Sequence, residues 1–388
     1  MKILQINASY KPAYIYGGPT MSVSKLCEEL ITAGIDTEVY TTTANGNKEL
    51  GVQSGIKMRV DNVPVTYFSR VTKGNSHFSP TLLFSLWKSL RQKKSGSVQT
   101  SNTDIIHIHA WWNLVSVGSC LIALLLSKTV ILSPRGTLSN YSFNNRNSTI
   151  KNIFHRVIGK ALLKRCYFHV TSEKEKQDIV NILASKRITI IPNFIELGHV
   201  ETMRSKTKND EPFKLLFFSR IEEKKGLDVL LEALQLLQFP WHLTIAGTGE
   251  DGFISSLKSK ASKLNLSENI SWVGFQGKDN KFKCISTNDL LILPSHDESF
   301  ANVVIESLSV GTPVILTEKV GLASYVIQND FGWVCKQDKN ELSLEIKTAY
   351  HEISKREKIN KEAPGQIRID FNENLLVKKY TEMYFSIK

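Results

Sequence analysis

Two segments in the second half of the chain carry side chains suited to an anion and a polyol. In Phe217-Phe218-Ser219-Arg220-Ile221-Glu222-Glu223-Lys224-Lys225-Gly226, a guanidinium and an ammonium sit between an apolar run and a helical pattern. Arginine offers a planar fork to phosphate oxygens and lysine a mobile point charge, so the pair suits a diphosphate. A solvated cluster in which Glu222, Glu223, Lys224 and Lys225 pair among themselves explains this segment better when it is taken alone. The second segment runs from Leu293 to Pro313. A strand ends at Pro294, Ser299 is the expected helix N-cap, and Gly311 and Pro313 mark the stop. Backbone N–H groups from Phe300, Ala301, Asn302 and Val303 then point out of the helix start, which makes an anion site. Glu298 precedes the helix and Glu306 lies about two turns along it. Carboxylates at both places accept hydrogen bonds from sugar hydroxyls. Glu306 falls between Ile305 and Leu308, so it is expected to be partly buried and to need a partner.

Other residues compete for attention. Gly247-Thr248-Gly249-Glu250-Asp251-Gly252 follows a strand and fits G-x-G-x-x-G, with Glu268 downstream as a ribose-binding acid. That is the basis for an alternative, a nicotinamide-dependent dehydrogenase. A lone match in the second βα unit of a domain is weak support. Near the start, Gly17-Gly18-Pro19-Thr20 follows the first strand, where paired glycines let a ligand approach the backbone; an ordinary turn is the plain alternative. His107 and His109 share one face of a strand. They suggest a metal pair, but no third ligand is identifiable, and buried hydrogen-bonded histidines are the plain alternative. Ser133-Pro134-Arg135-Gly136-Thr137 and Thr171-Ser172-Glu173-Lys174-Glu175 each follow a strand; Ser172 reads as a helix cap.

The elements that must position these residues alternate along the whole chain. Ile3–Ile6, Thr37–Tyr40, Val65–Phe68, Ile105–His109, Val130–Ser133 and Tyr167–Val170 read as strands, with helices such as Met21–Ala33 between them. A polar stretch interrupts the pattern, which restarts at Lys214–Ser219 and continues through the helix Asn302–Ser309 and beyond. This α/β alternation implies parallel sheets with crossover helices. The expected domains are 1–195, a linker at 196–212, a second domain at 213–368 and a terminal helix at 369–388 that crosses back to the first domain. Ligands in such folds sit beyond the carboxyl ends of the strands.

Composition removes several classes. The 388 residues are 41 % hydrophobic and 22 % charged, as in an ordinary globular protein. Five scattered cysteines form no C-x-x-C pair, so neither a disulfide framework nor a zinc site is expected, and a reducing cytosol is. No secretory leader is read at the start. The charge-free run Ala110–Ser127 reads as a buried helix rather than a membrane span. The first 200 residues hold 24 Lys and Arg against 11 Asp and Glu, and the rest hold 25 against 26. The basic excess therefore faces something anionic. Two basic amphipathic stretches, Thr81–Lys94 and Lys151–Arg165, fit an anionic membrane surface as well as ordinary surface helices. A non-catalytic basic membrane-surface protein is a further alternative. No nucleic-acid motif is present, and nucleic acid is not an expected partner.

Glu298 and Glu306, with seven residues between them, resemble the E-x7-E motif of retaining GT-B glycosyltransferases of the family 4 type. "PSHDESFANVVIESLSVGTPVI" and "SRIEEKKGLDVLLEAL" are similar to the family's patterns, and "SPRG" resembles the loop of members that build surface polysaccharides. The resemblance covers nearly the whole chain. It implies a GT-B fold, two Rossmann-like doubly wound domains facing a central cleft. It also implies transfer from a UDP- or GDP-linked sugar to a lipid-linked or oligosaccharide acceptor, without a metal or other cofactor; no D-x-D occurs in the chain. By resemblance, Arg220 and Lys225 hold the diphosphate, Glu306 the ribose and Glu298 the donor sugar. Phe300, Ala301, Asn302 and Val303 lie beside that sugar, and Gly247 and Gly249 close the nucleotide pocket. Gly17 and Gly18 lie over the diphosphate, with Thr20 and Arg135 toward the acceptor. His109 stands near the sugar and phosphate, and His107 is left to structure. The enzyme is expected in the cytoplasm, at the inner face of the cell membrane. Phe194 and Ala301 depart from the family pattern, where glycine is more frequent.

Overall fold

The alternating apolar runs form two separate sheets, each in its own unit of the computed structural model, which describes residues 1–91, 103–144, 148–198 and 211–387. One unit is Met1–Phe194 with Glu373–Lys388, and the other is Ile195–Asn372. Most of the expected linker lies outside the described residues.

In the first unit the strand order is Ile188–Ile190, Tyr167–Val170, Thr129–Ser133, Ile105–His109, Lys2–Ile6, Asp36–Thr42, Val63–Phe68 and Lys57–Val60. Only the last pair is antiparallel. Ile3, Leu4, Ile6, Ile105, Ile106 and Ile108 are all buried, because crossover helices cover both faces of such a sheet. Lys2–Ile6 and Ile105–His109 are neighbours whose connections leave in opposite directions along the sheet. Their carboxyl ends make a switch point, the usual ligand position. The helix Glu373–Ile387 packs Leu376, Tyr380, Met383 and Tyr384 with Ile3, Leu26, Ile105 and Phe194. The helix read from Ile369 is thus the end of Ile353–Asp370 followed by this separate helix.

In the second unit the order is Ile270–Gly274, Trp241–Ala246, Phe213–Phe218, Leu290–Leu293, Val314–Thr317 and Gly332–Cys335, all parallel. The switch point lies between Phe213–Phe218 and Leu290–Leu293. The segments leaving these two strands are the Arg220–Lys225 and Glu298 segments. Leu215, Leu216, Phe217, Leu230, Leu231, Val304 and Leu308 belong to one core that fixes the helices Leu227–Leu234 and Asn302–Ser309 on the sheet.

The run Ala110–Ser127 contains the helix Leu114–Leu125, capped by the Asn113 side chain. No helix among the described residues is long and apolar enough to cross a membrane. The helix Pro80–Arg91 buries Leu82, Leu86 and Leu90 and turns Phe84 and Trp87 outward; Lys93 and Lys94 lie outside the described residues. Lys151–Arg165 is not the single helix its spacing predicts. A helix Ser148–Phe154 runs into a π-helical turn His155–Gly159 and then Lys160–Leu163. The wider π turn shifts the side-chain register. Phe154 faces Trp111 and Trp112, while Ile150, Ile153, Val157 and Ile158 are exposed.

Candidate active site

Two cations of the Arg220–Lys225 segment reach out of it, instead of the wholly internal pairing that the solvated-cluster reading expects. Lys225 forms an ion pair with Glu298, and Lys224 pairs with Asp297 at 3.0 Å. The His296 N–H donates to the Lys224 carbonyl at 2.9 Å. The two segments are tied backbone to backbone and side chain to side chain. Gly226 makes this contact possible: it is left-handed at φ 68°, and a Cβ there would lie 2.1 Å from the Pro294 carbonyl oxygen. Arg220 is half exposed and pairs with Glu222 at 2.6 Å. Burial alone would raise the Glu298 carboxyl pKa, but Lys225, Lys224 and Arg220 outweigh it and hold the group below its ordinary value. From the other side, the Glu298 N–H donates to the Lys319 carbonyl and the Gly321 N–H to the Glu298 carbonyl.

The glycine-rich turn extends this arrangement. Ser219 and Ile221 donate to the Ala246 and Thr248 carbonyls, and Ile221 bridges to Gly249. A Cβ at Gly247, whose φ is 146°, would meet the Ser219 carbonyl oxygen at 1.8 Å. Glu268 stands apart, in the turn before Ile270. That is the amino end of a strand parallel to Trp241–Ala246, whereas Gly247 follows the carboxyl end of its strand. One dinucleotide could not reach both in the manner the dehydrogenase alternative requires.

The helix Asn302–Ser309 begins where the sequence places it, but its N-cap is Ala301 at φ 78° rather than Ser299. The left-handed residue turns the chain into the helix. Phe300 is buried edge-on to Phe371, so only its backbone is available to a ligand. Glu306 has the partner its position demands, Lys281 at 2.9 Å. No sequence signal marks Lys281, because the pairing joins two helices.

In the first unit His109 and Arg135 are directly bonded. Arg135 Nε donates to His109 Nδ1 at 3.2 Å, and its Nη1 donates to Ser22 Oγ and Asn193 Oδ1 at 3.0 and 2.8 Å. Their carbonyl and hydroxyl chemistry supplies no counter-charge. His109 is fully buried and donates from Nε2 to Gln5 Oε1 at 2.8 Å. The Gln5 amide donates to the Tyr384 hydroxyl, which donates to His107 Nδ1 at 2.7 Å. His107 Nε2 donates to Ser133 Oγ, the Ser133 hydroxyl to His169 Nδ1, and His169 Nε2 to the Ile191 carbonyl. Every ring nitrogen of the three histidines is engaged. Burial first, then neighbouring charges, lowers all three pKa values, that of His169 to about 3. Among the described residues no group of three metal-ligating side chains is placed to hold an ion. Gly17 caps the helix Gly18–Thr32, and Thr20 is buried against Ser9 at 3.0 Å. Phe194, where the family pattern has glycine, stacks on Tyr380 in the core. Gln5, Ser22 and Tyr384 carry no sequence signal for these contacts.

Two Rossmann-like units, the second with paired cations and a carboxylate at its switch point, define the GT-B class of architecture. Residues 16–199 match the profile described as Glycosyltransferase Family 4, and residues 200–366 match Glycosyl transferases group 1. The chain is a glycosyltransferase of the GT-B fold and the family 4 type. It is 23 % identical over 403 residues to glycogen synthase of Mycobacterium tuberculosis, covering all of this chain and 95 % of the relative. It is 29 % identical over 164 residues to the lipopolysaccharide core biosynthesis glycosyltransferase LpsE of Rhizobium meliloti, covering 42 % and 44 % of the two chains. The structure of Anabaena HepE in complex with UDP and glucose is similar with a TM-score of 0.76 at 17 % identity, over the full length of both chains.

Proposed function

We propose that this glycosyltransferase moves a sugar from a UDP- or GDP-linked donor to a hydroxyl of a lipid-linked or oligosaccharide acceptor, with retention at the anomeric carbon and without a metal or other cofactor. The observation that carries this reading is the convergence of the Arg220–Lys225 segment on Glu298 at the switch point of the second sheet. Arg220 and Lys225 neutralise the diphosphate as it leaves, aided by the backbone around Asn302 and Val303 at the helix start. Glu298 accepts from the donor sugar and Glu306 from the ribose. Gly247 and Gly249 give the nucleotide close access to the backbone. In the first unit, Gly17, Gly18 and Thr20 border the donor and acceptor positions, and Arg135 offers a cation to an anionic group. His109 holds Arg135 rather than receiving a proton, since both its nitrogens are engaged. The E-x7-E resemblance supports retention, and the UDP in the HepE structure favours a UDP-linked donor.

The acceptor reading rests on the basic first unit. Phe84, Trp87, Ile150, Ile153 and Val157 are exposed beside Lys and Arg residues, which suits an anionic lipid surface at the cytoplasmic face. The similarity to LpsE supports a role in surface polysaccharide synthesis. A thermal-shift screen against UDP, GDP, ADP, their sugars and NAD tests the donor. Stabilisation by a nucleoside diphosphate is expected; stabilisation by NAD alone overturns the reading. Mass spectrometry with a polyprenyl-diphosphate glycan tests the acceptor, and salt-sensitive binding to anionic vesicles tests the surface.

A further inference from the structure

Arg135 occupies a costly conformation. Its φ is 51° and that of Gly136 is 78°, so two successive residues are left-handed. For a residue with a Cβ this is strained backbone, and it persists only where the surroundings impose it. The surrounding contacts come from two directions. Thr137 donates through both its N–H and its hydroxyl to the Pro134 carbonyl, and the Trp111 N–H donates to Thr137 Oγ1. These close the turn but leave the Arg135–Gly136 peptide to be fixed. The Gly136 N–H donates to Glu175 Oε1 at 2.7 Å.

Glu175 is 2 % exposed and belongs to a different element, the helix Glu173–Leu183. Ser172 is the N-cap of that helix and Glu175 its third residue, the spacing of a capping box. A capping-box glutamate serves the start of its own helix. Here Oε2 reaches one residue further back, accepting from the N–H and hydroxyl of Thr171, which precedes the N-cap, both at 2.8 Å. The other oxygen leaves the helix for the arginine loop. A buried carboxylate is costly to keep for capping alone, which an exposed glutamate would do as well. Among the described residues Arg135 itself forms no ion pair with a carboxylate, since its side-chain partners His109, Ser22 and Asn193 are all neutral.

We infer that Glu175 is a positioning residue: it latches the Gly136 N–H, fixes the left-handed Arg135 backbone, and so aims the guanidinium at the anionic group of a substrate. It also sets a buried carboxyl group against the peptide that follows Arg135. The Thr171-Ser172-x-x-Glu175 segment thereby acquires a purpose beyond helix capping. The inference rests on the reading that Arg135 meets a substrate anion, but the latch itself is tested separately from that reading.

The test uses the full chain with 15N-labelled arginine. The Arg135 Nε–H resonance, assigned by its loss in Arg135→Ala, reports the bond to His109. In Glu175→Ala and Glu175→Gln, both checked for cooperative melting, that resonance is expected to shift and lose its protection from exchange. With the donor identified by the nucleotide screen, kcat/KM is expected to fall about 10- to 100-fold in Glu175→Ala, as a misplaced catalytic-site cation does. The double variant Glu175→Ala/Arg135→Ala is expected to be no worse than Arg135→Ala. A folded Glu175 variant with an unchanged Arg135 resonance, or losses that add in the double variant, overturns the latch. Should Glu175→Ala fail to fold, Glu175→Gln carries both readouts, because it has one acceptor oxygen where the carboxylate has two and cannot serve both the Gly136 N–H and the Thr171 donors. An Arg135→Ala enzyme of full activity overturns the substrate-anion reading instead, while the resonance still decides the latch.

Discussion

Lys225 and Glu298 form an ion pair between the two segments that leave the switch point of the second sheet, with side chains 11 % and 19 % exposed. On the proposed reading, a lysine for phosphate and a carboxylate for a sugar thus neutralise each other while neither ligand is bound. The pairing holds the Glu298 carboxylate ionised and keeps both side chains at one place. Removing one partner leaves the other charge nearly buried and unpaired.

Glu298→Gln and Lys225→Ala are each expected to lower kcat about 100-fold or more, as loss of one preorganised charge at a transition state does. A nucleotide-sugar transfer assay checks this, and near-wild-type turnover by either variant would remove the residue from the mechanism. The pH dependence has a definite sign. The Glu298 pKa is held below its ordinary 4.5, so its stabilising contribution is complete above that value and is lost as pH falls through the folded value. Denaturant midpoints between pH 6 and pH 3 are expected to fall less steeply in Glu298→Gln than in the parent.

Ala301 caps the helix Asn302–Ser309 at φ 78° and ψ 79°, with no side-chain hydrogen bond. The left-handed cost of about 1–2 kcal/mol exceeds the entropy that glycine adds to the unfolded chain, about 0.5–1 kcal/mol. Ala301→Gly is therefore expected to raise stability by about 0.5–1 kcal/mol. A urea titration checks it; a lower midpoint would show that the methyl group contributes packing that outweighs the strain.

The strand ends and the two charged segments were legible because they depend on local pattern. The run Asn302–Ser309 reads as a helix from its apolar spacing and its Gly311-Thr312-Pro313 stop, and it is one. Ser299 looked like the cap because capping preference is a propensity, whereas the actual start is set by the backbone turn at Ala301. Lys151–Arg165 has helical spacing, yet periodicity cannot register a π turn that inserts between Phe154 and Lys160. The partners of the candidate residues were not legible. Lys281 lies 25 positions from Glu306 and Tyr384 lies 277 from His107. Contacts of that separation follow from sheet order and helix docking, which no local spacing encodes.

The Lys281–Glu306 pair is mostly buried, with side chains 17 % and 13 % exposed. It falls between a surface pair and a fully buried one, so a coupling of about 1–2 kcal/mol is expected. A double-mutant cycle with Lys281→Met and Glu306→Gln, read by chemical denaturation, measures it. The same variants separate the pair's two uses. If Glu306 receives ribose hydroxyls, Glu306→Gln weakens UDP binding, whereas Lys281→Met leaves it nearly intact because the carboxylate remains. Equal weakening in both would assign the nucleotide contact to the pair's geometry rather than to the carboxylate.

The buried histidine chain of the first unit predicts an acid-sensitive fold. His107, His109 and His169 are neutral, with every ring nitrogen committed to one direction of hydrogen bonding from Arg135 to the Ile191 carbonyl. Their folded pKa values lie below the unfolded value near 6.5. Between the two values the unfolded chain binds more protons than the folded one, so stability is complete above pH 6.5 and falls as pH drops toward the folded values. For His169, at about 3, lowering the pH from 7 to 5 removes about 2 kcal/mol. His169→Asn keeps a side-chain acceptor for Ser133 without a titrating group. It is expected to reduce the difference between guanidinium denaturation midpoints at pH 7 and pH 5, even though its stability at pH 7 is lower than the parent's. Tyr384→Phe removes the hydroxyl that donates to His107 and is expected to cost about 1–3 kcal/mol at pH 7, the price of a buried acceptor left unpaired. A parent whose stability is flat from pH 7 to pH 5 would mean that at least one imidazole takes up a proton without breaking the chain, and the neutral assignment of all three would fall.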